Sequence, residues 1–232
     1  MRRNVAGIVL AFIAGSALMA AQHVTYGPEI WKSLGNGSDT RLQVLSQSAS
    51  GVELELDLSG FYAQEVVWDR TTYQKVFVPG EGHIADVGKP ELPAISRYLA
   101  VPRNAKIEVE IIEENYEVFH GYDILPVQEP LPDIPNAPTP PFAKDSEIYS
   151  ADKEYPGYLA EASKPFTLRG VEVTRFTLYP MSYNPLRKEL KVYKKLRVRV
   201  KFIGGTSFSE ARLRSPFSVS YTHLTLPTNR EV

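Results

Sequence analysis

The chain has 232 residues, 43% of them hydrophobic and 23% charged, with a net charge of −1, so its bulk composition gives no reason to expect nucleic acid or an anionic membrane as partner. It contains no cysteine, which excludes a cysteine nucleophile and a thiolate metal site within this chain and leaves core burial to hold it together. The length is enough for one large domain or two small ones.

Residues 1–21 read as a signal peptide. Arg2 and Arg3 precede the apolar run VAGIVLAFIAGSALMAA, and cleavage is expected after Ala20 or Ala21. The run is short for a spanning helix, so no stable membrane span is expected once the signal is removed. Residues 22–40, rich in Gly, Ser and Asn, are expected to be a flexible N-terminal segment.

From there period-two alternation dominates. In VELELDLSG, Val52, Leu54, Leu56 and Leu58 alternate with Glu53, Glu55, Asp57 and Ser59, the pattern of a half-buried strand. YQKVFVP follows, then a turn at PGEG, 79–82. GKPELPAISRYLAVP comes next: Gly88 permits a turn without a Cβ clash, Pro90 and Pro93 fix φ on either side of Leu92, and Pro102 ends the strand. KIEVEII turns Ile107, Val109 and Ile111 inward. VEVTRFTLYP and KLRVRVKF are strands joined through a tight turn at YNPLRKE, so 171–202 reads as a hairpin. No stretch after the signal shows a sustained helical period. The fold class is therefore all-β: an antiparallel β-sandwich, jelly-roll-like, following an N-terminal signal helix.

One segment breaks the alternation. PVQEPLPDIPNAPTPP, 126–141, holds seven of the eighteen prolines and cannot be a central strand. It reads as an extended, polyproline-like part of a long connection from 126 to about 157. That connection is either a flexible linker or a loop that lies against a partner.

Enzymatic constellations are missing. His23, His83, His120 and His223 show no metal-ligand spacing, so neither metal nor other cofactor is expected. There is no nucleophile elbow and no phosphate-binding glycine loop. His83 and Asp86 are near enough in sequence for a surface hydrogen bond. An acidic stretch from Glu108 to Glu117 and a basic one from Arg187 to Lys201 read as solvent faces; the basic strand is the better candidate for electrostatic docking. Aromatics do not interleave with it as nucleic-acid stacking requires.

Several motifs in order carry a family resemblance. GHIADVGKPELPAISRYLAVP, KIEVEII, DILPVQEP, YPGYLAEASKPFTLRGVEV and LYPMSYNPLRKELKVYKKLRVRV together resemble the N-terminal propeptide of gingipain-type cysteine peptidases, enzymes of the caspase-like clan. The resemblance spans about 40–203. It implies a secreted, cell-surface or periplasmic bacterial protein. Its propeptide β-sandwich, 41–203, would be non-catalytic and would keep the cognate peptidase domain of the same precursor latent by covering its cleft, and would assist its folding. Gly88, Pro90, Leu92 and Pro93 are then scaffold for an inhibitory loop within 126–147. Relatives that block arginine-specific enzymes present a basic residue there. Here the corresponding stretch is Asp133, Ile134, Pro135 and Asn136, with Lys144 as second candidate. Residues 204–218 would lead to a catalytic domain beyond this chain. VSYTHLTLPTNREV, 219–232, resembles translated read-through of a sequencing adapter; the alternative is a genuine edge strand. A competing function is a carbohydrate- or surface-binding module, with Tyr62, Trp68, Tyr73 and Tyr98 as stacking candidates.

Overall fold

The structure, a computed structural model, describes residues 24–35, 39–131, 133–134, 140–208 and 224–225. The signal segment lies outside them. Among the described residues no helix is long and apolar enough to cross a membrane.

The strands are β1 (Val24–Ser33), β2 (Arg41–Ser48), β3 (Gly51–Asp57), β4 (Gly60–Trp68), β5 (Thr71–Phe77), β6 (Gly82–His83), β7 (Pro93–Ala100), β8 (Lys106–His120), β9 (Ala160–Ala162), β10 (Phe166–Leu168), β11 (Val171–Leu178), β12 (Met181–Asn184), β13 (Glu189–Ile203) and β14 (Leu224–Thr225); one short helix, α1, spans Ser146–Tyr149. The 15-residue β13 is the spine. β8 pairs along one of its edges, while the other edge takes β12 first and then β3, with β2 beyond.

Two further sheets cover this central sheet. β1, β4 and β5 form one, all antiparallel. The other is β10–β11–β7, with β9 also on β11 and β6 also on β7. The two covers meet β13 at successive positions along its length, on either side of the register shift between Tyr193 and Lys195. Leu190 and Val192 pack with Phe61, Val76, Leu92, Ile124, Met181 and Tyr183 under the first sheet. Leu196, Val198 and Val200 pack with Val52, Leu54, Leu56, Ile95, Leu99, Phe176 and Leu178 under the second. A buried aliphatic side chain of this kind contributes about 1.5–3 kcal/mol. Two such cores stabilise a chain without cysteine, and the antiparallel all-β sandwich expected from the alternation is the fold.

Two local expectations give way. Residues 24–33, placed in a flexible segment, form β1 against β4. Its Gly, Ser and Asn residues concentrate after Ser33, and Gly60 lets β1 approach closely: a Cβ there would stand 2.4 Å from the Trp31 ring and from the Lys32 carbonyl. The hairpin expected over 171–202 is instead β12–β13 alone. At Tyr179-Pro180 the chain changes sheets, and β11 pairs with β7. In the tail, Leu224 and Thr225 pair in parallel with Tyr98 and Leu99.

Candidate functional site: a proline-rich arm and its clamp

The site begins where β8 ends. Asp123, Ile124 and Leu125 run beside β5: the Gln74 amide donates to the Asp123 carbonyl at 2.8 Å and the Leu125 amide to the Gln74 carbonyl at 3.0 Å. Ile124 and Leu125 are buried in two different cores, which fixes the path of the chain into the proline-rich segment.

The Gly88–Leu92 stretch lies against this outgoing stem. Amides of Glu91 and Gly88 donate to the carbonyls of Leu125 (2.9 Å) and Val127 (2.8 Å), and the Val127 amide donates back to the Lys89 carbonyl (2.8 Å). Pro90, which has no N–H, faces Pro126 in this pairing. On the other side the Asp145 amide, from the returning stem, donates to the Gly88 carbonyl at 2.9 Å. Gly88 has φ +83°, and a Cβ there would stand 3.3 Å from the Asp145 nitrogen. A glycine is required both for the left-handed turn and for that approach. Gly88, Pro90, Leu92 and Pro93 are all buried, so this stretch is wedged between the two stems.

Gln128 fastens the stems to each other. Its Nε2 donates to the carbonyls of Pro126 and Ala143, and its Oε1 accepts from the Ala143 amide, all at 2.9 Å. Nothing in the sequence pattern marks Gln128, because a lone Gln has no periodicity or motif. On the returning stem Phe142 packs on Trp68 and Tyr73, with ring centroids 5.0 and 5.8 Å away. Asp145 caps α1 by accepting from the amides of Glu147 and Ile148. The Tyr149 hydroxyl donates to the Ile124 carbonyl at 2.8 Å, and burial, chiefly, pushes its pKa upward. Further on, Asp152 accepts from Asn184 and Arg187, which hold its carboxyl below the usual range. Glu154 accepts from Ser182 and Lys191, and Tyr155 exchanges backbone bonds with Tyr183. The connection is thus fastened from 142 to 155, while Glu129, Pro130, Leu131, Asp133 and Ile134 are exposed.

The candidate residues divide accordingly. Asp133 and Ile134 stand exposed on the projecting arm, where the chain bends. Pro135 and Asn136 lie outside the described residues. Lys144 sits at the root of the arm, its ammonium 4.4 Å from the Tyr149 ring centroid and 5.1 Å from that of Tyr73. Beneath the arm is a cleft of about 560 Å³ lined by Tyr26, Trp68, Leu131 and Pro140 among others. It contains the buried Glu91, paired with Lys75 at 2.9 Å and with His83 3.9 Å away. His83 therefore stands by Glu91, and Asp86 takes Lys89 as partner. Among the described residues no group of three His, Asp or Glu stands close enough to hold a metal ion.

The two charge runs meet rather than face solvent separately. β8 and β13 are neighbours, so Lys201 and Arg199 reach Glu110 (2.8 and 3.7 Å) and Lys194 reaches Glu117 (3.8 Å). Arg197 and Arg199 both grip Glu53 on β3; burial pushes that carboxyl up, but the two guanidiniums outweigh it and hold it below its ordinary value. Lys195 pairs with Glu55. The basic strand spends its charge inside the sheet, and its promise as a docking stripe goes with it. The aromatic candidates are also engaged: Tyr62 lies between Trp31 (5.0 Å) and Phe77 (5.3 Å), Trp68 and Tyr73 against Phe142, and Tyr98 against Phe166 (6.0 Å).

A family model described as Propeptide_C25 matches residues 32–215. Gingipain R2 of Porphyromonas gingivalis is 28% identical over 204 residues, covering 86% of this chain and 26% of the relative. Lys-gingipain of the same organism is 28% identical over 148 residues, 61% of this chain and 8% of the relative. The chain thus spans about a quarter of the length of gingipain R2. Among solved structures, one giving structural insight into zymogenic latency of gingipain K from P. gingivalis superposes with a TM-score of 0.66, at 23% identity, over 77% of this chain and 100% of that one. The complex of P. gingivalis RgpB pro- and mature domains superposes with a TM-score of 0.63, at 26% identity, over 76% of this chain and 90% of that one.

Proposed function

The chain belongs to the Propeptide_C25 family and is the propeptide of a gingipain-type peptidase, a non-catalytic domain, and from that premise we propose that it keeps the peptidase domain of its own precursor inactive by lying over the catalytic cleft and sending the 129–141 arm into it. The observation that carries this reading is the clamp. A segment of prolines is fastened at both stems to a buried wedge, and the described residues between the stems, Leu131, Asp133 and Ile134, stand exposed. A chain already extended loses less entropy on docking. The solved complex of RgpB pro- and mature domains supports a propeptide that remains in contact with its peptidase.

Asp133, Ile134, Pro135 and Asn136 supply the approach to the cleft. Lys144, the second candidate, is the weaker one, since its ammonium already lies on two tyrosine rings. The arm carries no arginine, so either the cognate enzyme is not arginine-specific or the contact is made differently. Export by the N-terminal segment places the precursor outside the cytoplasm of a bacterium, secreted or on the cell surface. The sandwich also assists folding of the catalytic part, which follows residues 204–218 in the precursor. Residues 219–232 are foreign to that reading frame.

The test is inhibition of the cognate peptidase domain by the chain with 130–139 replaced by Gly and Ser. The stems at 128 and 142–145 remain, so the melting temperature holds while inhibition is lost. Undiminished inhibition contradicts the assignment.

A further inference from the structure

An antiparallel sheet with one face on a core ordinarily turns polar residues outward on the other. The sheet of β1, β4 and β5 does not. Its inner face gives Phe61, Ala63 and Val76 to the first core. On its outer face the register sets Trp31, Tyr62 and Phe77 in one cross-strand row and Tyr26, Val66 and Tyr73 in another. The stems of the arm cover only part of this face: Leu125 is buried with Val66 and Tyr73, and Phe142 packs beside them. On the β1 side Tyr26 stays 61% exposed and Trp31 38%.

Trp31 is held rigidly in this exposed position. Its ring lies against Gly60, where a Cβ would stand 2.4 Å from it, and it meets Tyr62, which in turn stacks on Phe77. An aromatic already fixed in place loses little further entropy on docking. Tyr26 lines the cleft together with Leu131 and Pro140, so the exposed side of this face adjoins the arm. The central sheet offers no comparable surface where Glu53 meets Arg197 and Arg199, because those charges pair with one another.

We propose that the outer face of the β1–β4–β5 sheet is a second docking surface for the peptidase domain, with Tyr26 and Trp31 as its aromatic anchors. Continuity with the arm identifies the occupant: a domain that receives the arm meets Tyr26 across the cleft. Tyrosine and tryptophan are the side chains that most often dominate the energy of such contacts. The inference rests on the latency reading above and adds a surface that carries affinity without entering the catalytic cleft.

The experiment measures binding of the full 232-residue chain to its cognate peptidase domain by biolayer interferometry, beside inhibition. Tyr26→Ser raises Kd at least about tenfold, the loss expected for an aromatic anchor. Its melting temperature holds, since the side chain is exposed. Leu186→Ser, at a similarly exposed position in the turn between β12 and β13, changes Kd less than about twofold. The chain with 130–139 replaced by Gly and Ser no longer inhibits but still binds, and Tyr26→Ser weakens that remaining binding as well. Hydroxyl-radical footprinting needs no substitution: Tyr26 and Trp31 of the unaltered chain become protected in the complex. If the unaltered chain inhibits while both residues stay as reactive as in the free chain and Tyr26→Ser binds normally, the face is not a docking surface and the latency reading stands without it. Loss of all binding with the arm replaced likewise contradicts a second surface. If the unaltered chain neither binds nor inhibits, the latency reading falls and takes this inference with it.

Discussion

Replacing Gln128 by alanine tests whether the clamp is mechanical. The substitution removes three hydrogen bonds, two of which join residues fifteen apart across the arm. An intramolecular hydrogen bond contributes about 0.5–1.5 kcal/mol net. The bond to Pro126 is local and contributes least, and water can partly replace the others, so the sum is about 2 kcal/mol. For a domain of this size each kcal/mol moves Tm by about 2–4 °C, which gives a fall of about 4–8 °C. Thermal unfolding followed by circular dichroism reads this. Amide exchange at Ala143 reads the local consequence, because that N–H loses its acceptor. Gln128→Glu is the informative companion. It keeps an acceptor for the Ala143 amide but sets a carboxylate against the carbonyls of Pro126 and Ala143, so it recovers little. If Ala143 exchange and Tm both stay at their original values in Gln128→Ala, the stems are held by something else and the clamp argument fails.

Other consequences follow from the same geometry. Gly88→Ala forces a left-handed residue with a Cβ 3.3 Å from the Asp145 nitrogen; the backbone conformation alone costs about 1–2 kcal/mol, so Tm falls while Gly80→Ala, at a similar φ but with nothing within 4 Å of the added Cβ, loses less. Leu196→Ala, at a fully buried site of the second core, costs about 2–5 kcal/mol in a denaturant titration. Acid weakens the charged face of the central sheet. The carboxyls of Glu53, Glu108, Glu110 and Asp152 are all held below their unfolded values by Lys and Arg partners. Their contribution is complete above the unfolded carboxylate pKa of about 4 and is lost as pH falls through the lower folded values. Tm should be flat from pH 7 to about 5 and decline below about 4; a Tm that rises on acidification contradicts the pairing.

The sequence made the strands readable because one face of each packs and the other does not. Val52, Leu54 and Leu56, or Leu196, Val198 and Val200, announce their burial by parity alone. Parity does not say which strand lies alongside. That is why VEVTRFTL appeared to fold back on KLRVRVKF when it pairs with β7 instead, and why Glu110 and Lys201 looked like separate solvent charges when they face each other. β1 was hidden for a different reason: Tyr26 and Ile30 are exposed, so its ladder to β4 leaves little apolar signature. The special backbone at Gly88 and the proline-rich segment could both be singled out from residue type. Their connection could not, since it runs through backbone amides and through Gln128, an ordinary residue until Ala143 is brought beside it.

The measurement that bears most directly on the central claim is photo-crosslinking from the arm. A benzoylphenylalanine in place of Ile134, in the chain bound to its cognate peptidase domain, should link to peptides that line the catalytic cleft, while the same probe at the exposed Tyr158, which packs on Tyr179 after the connection has ended, should not. Linkage from Tyr158 into the cleft, with none from Ile134, would contradict an arm that blocks the enzyme.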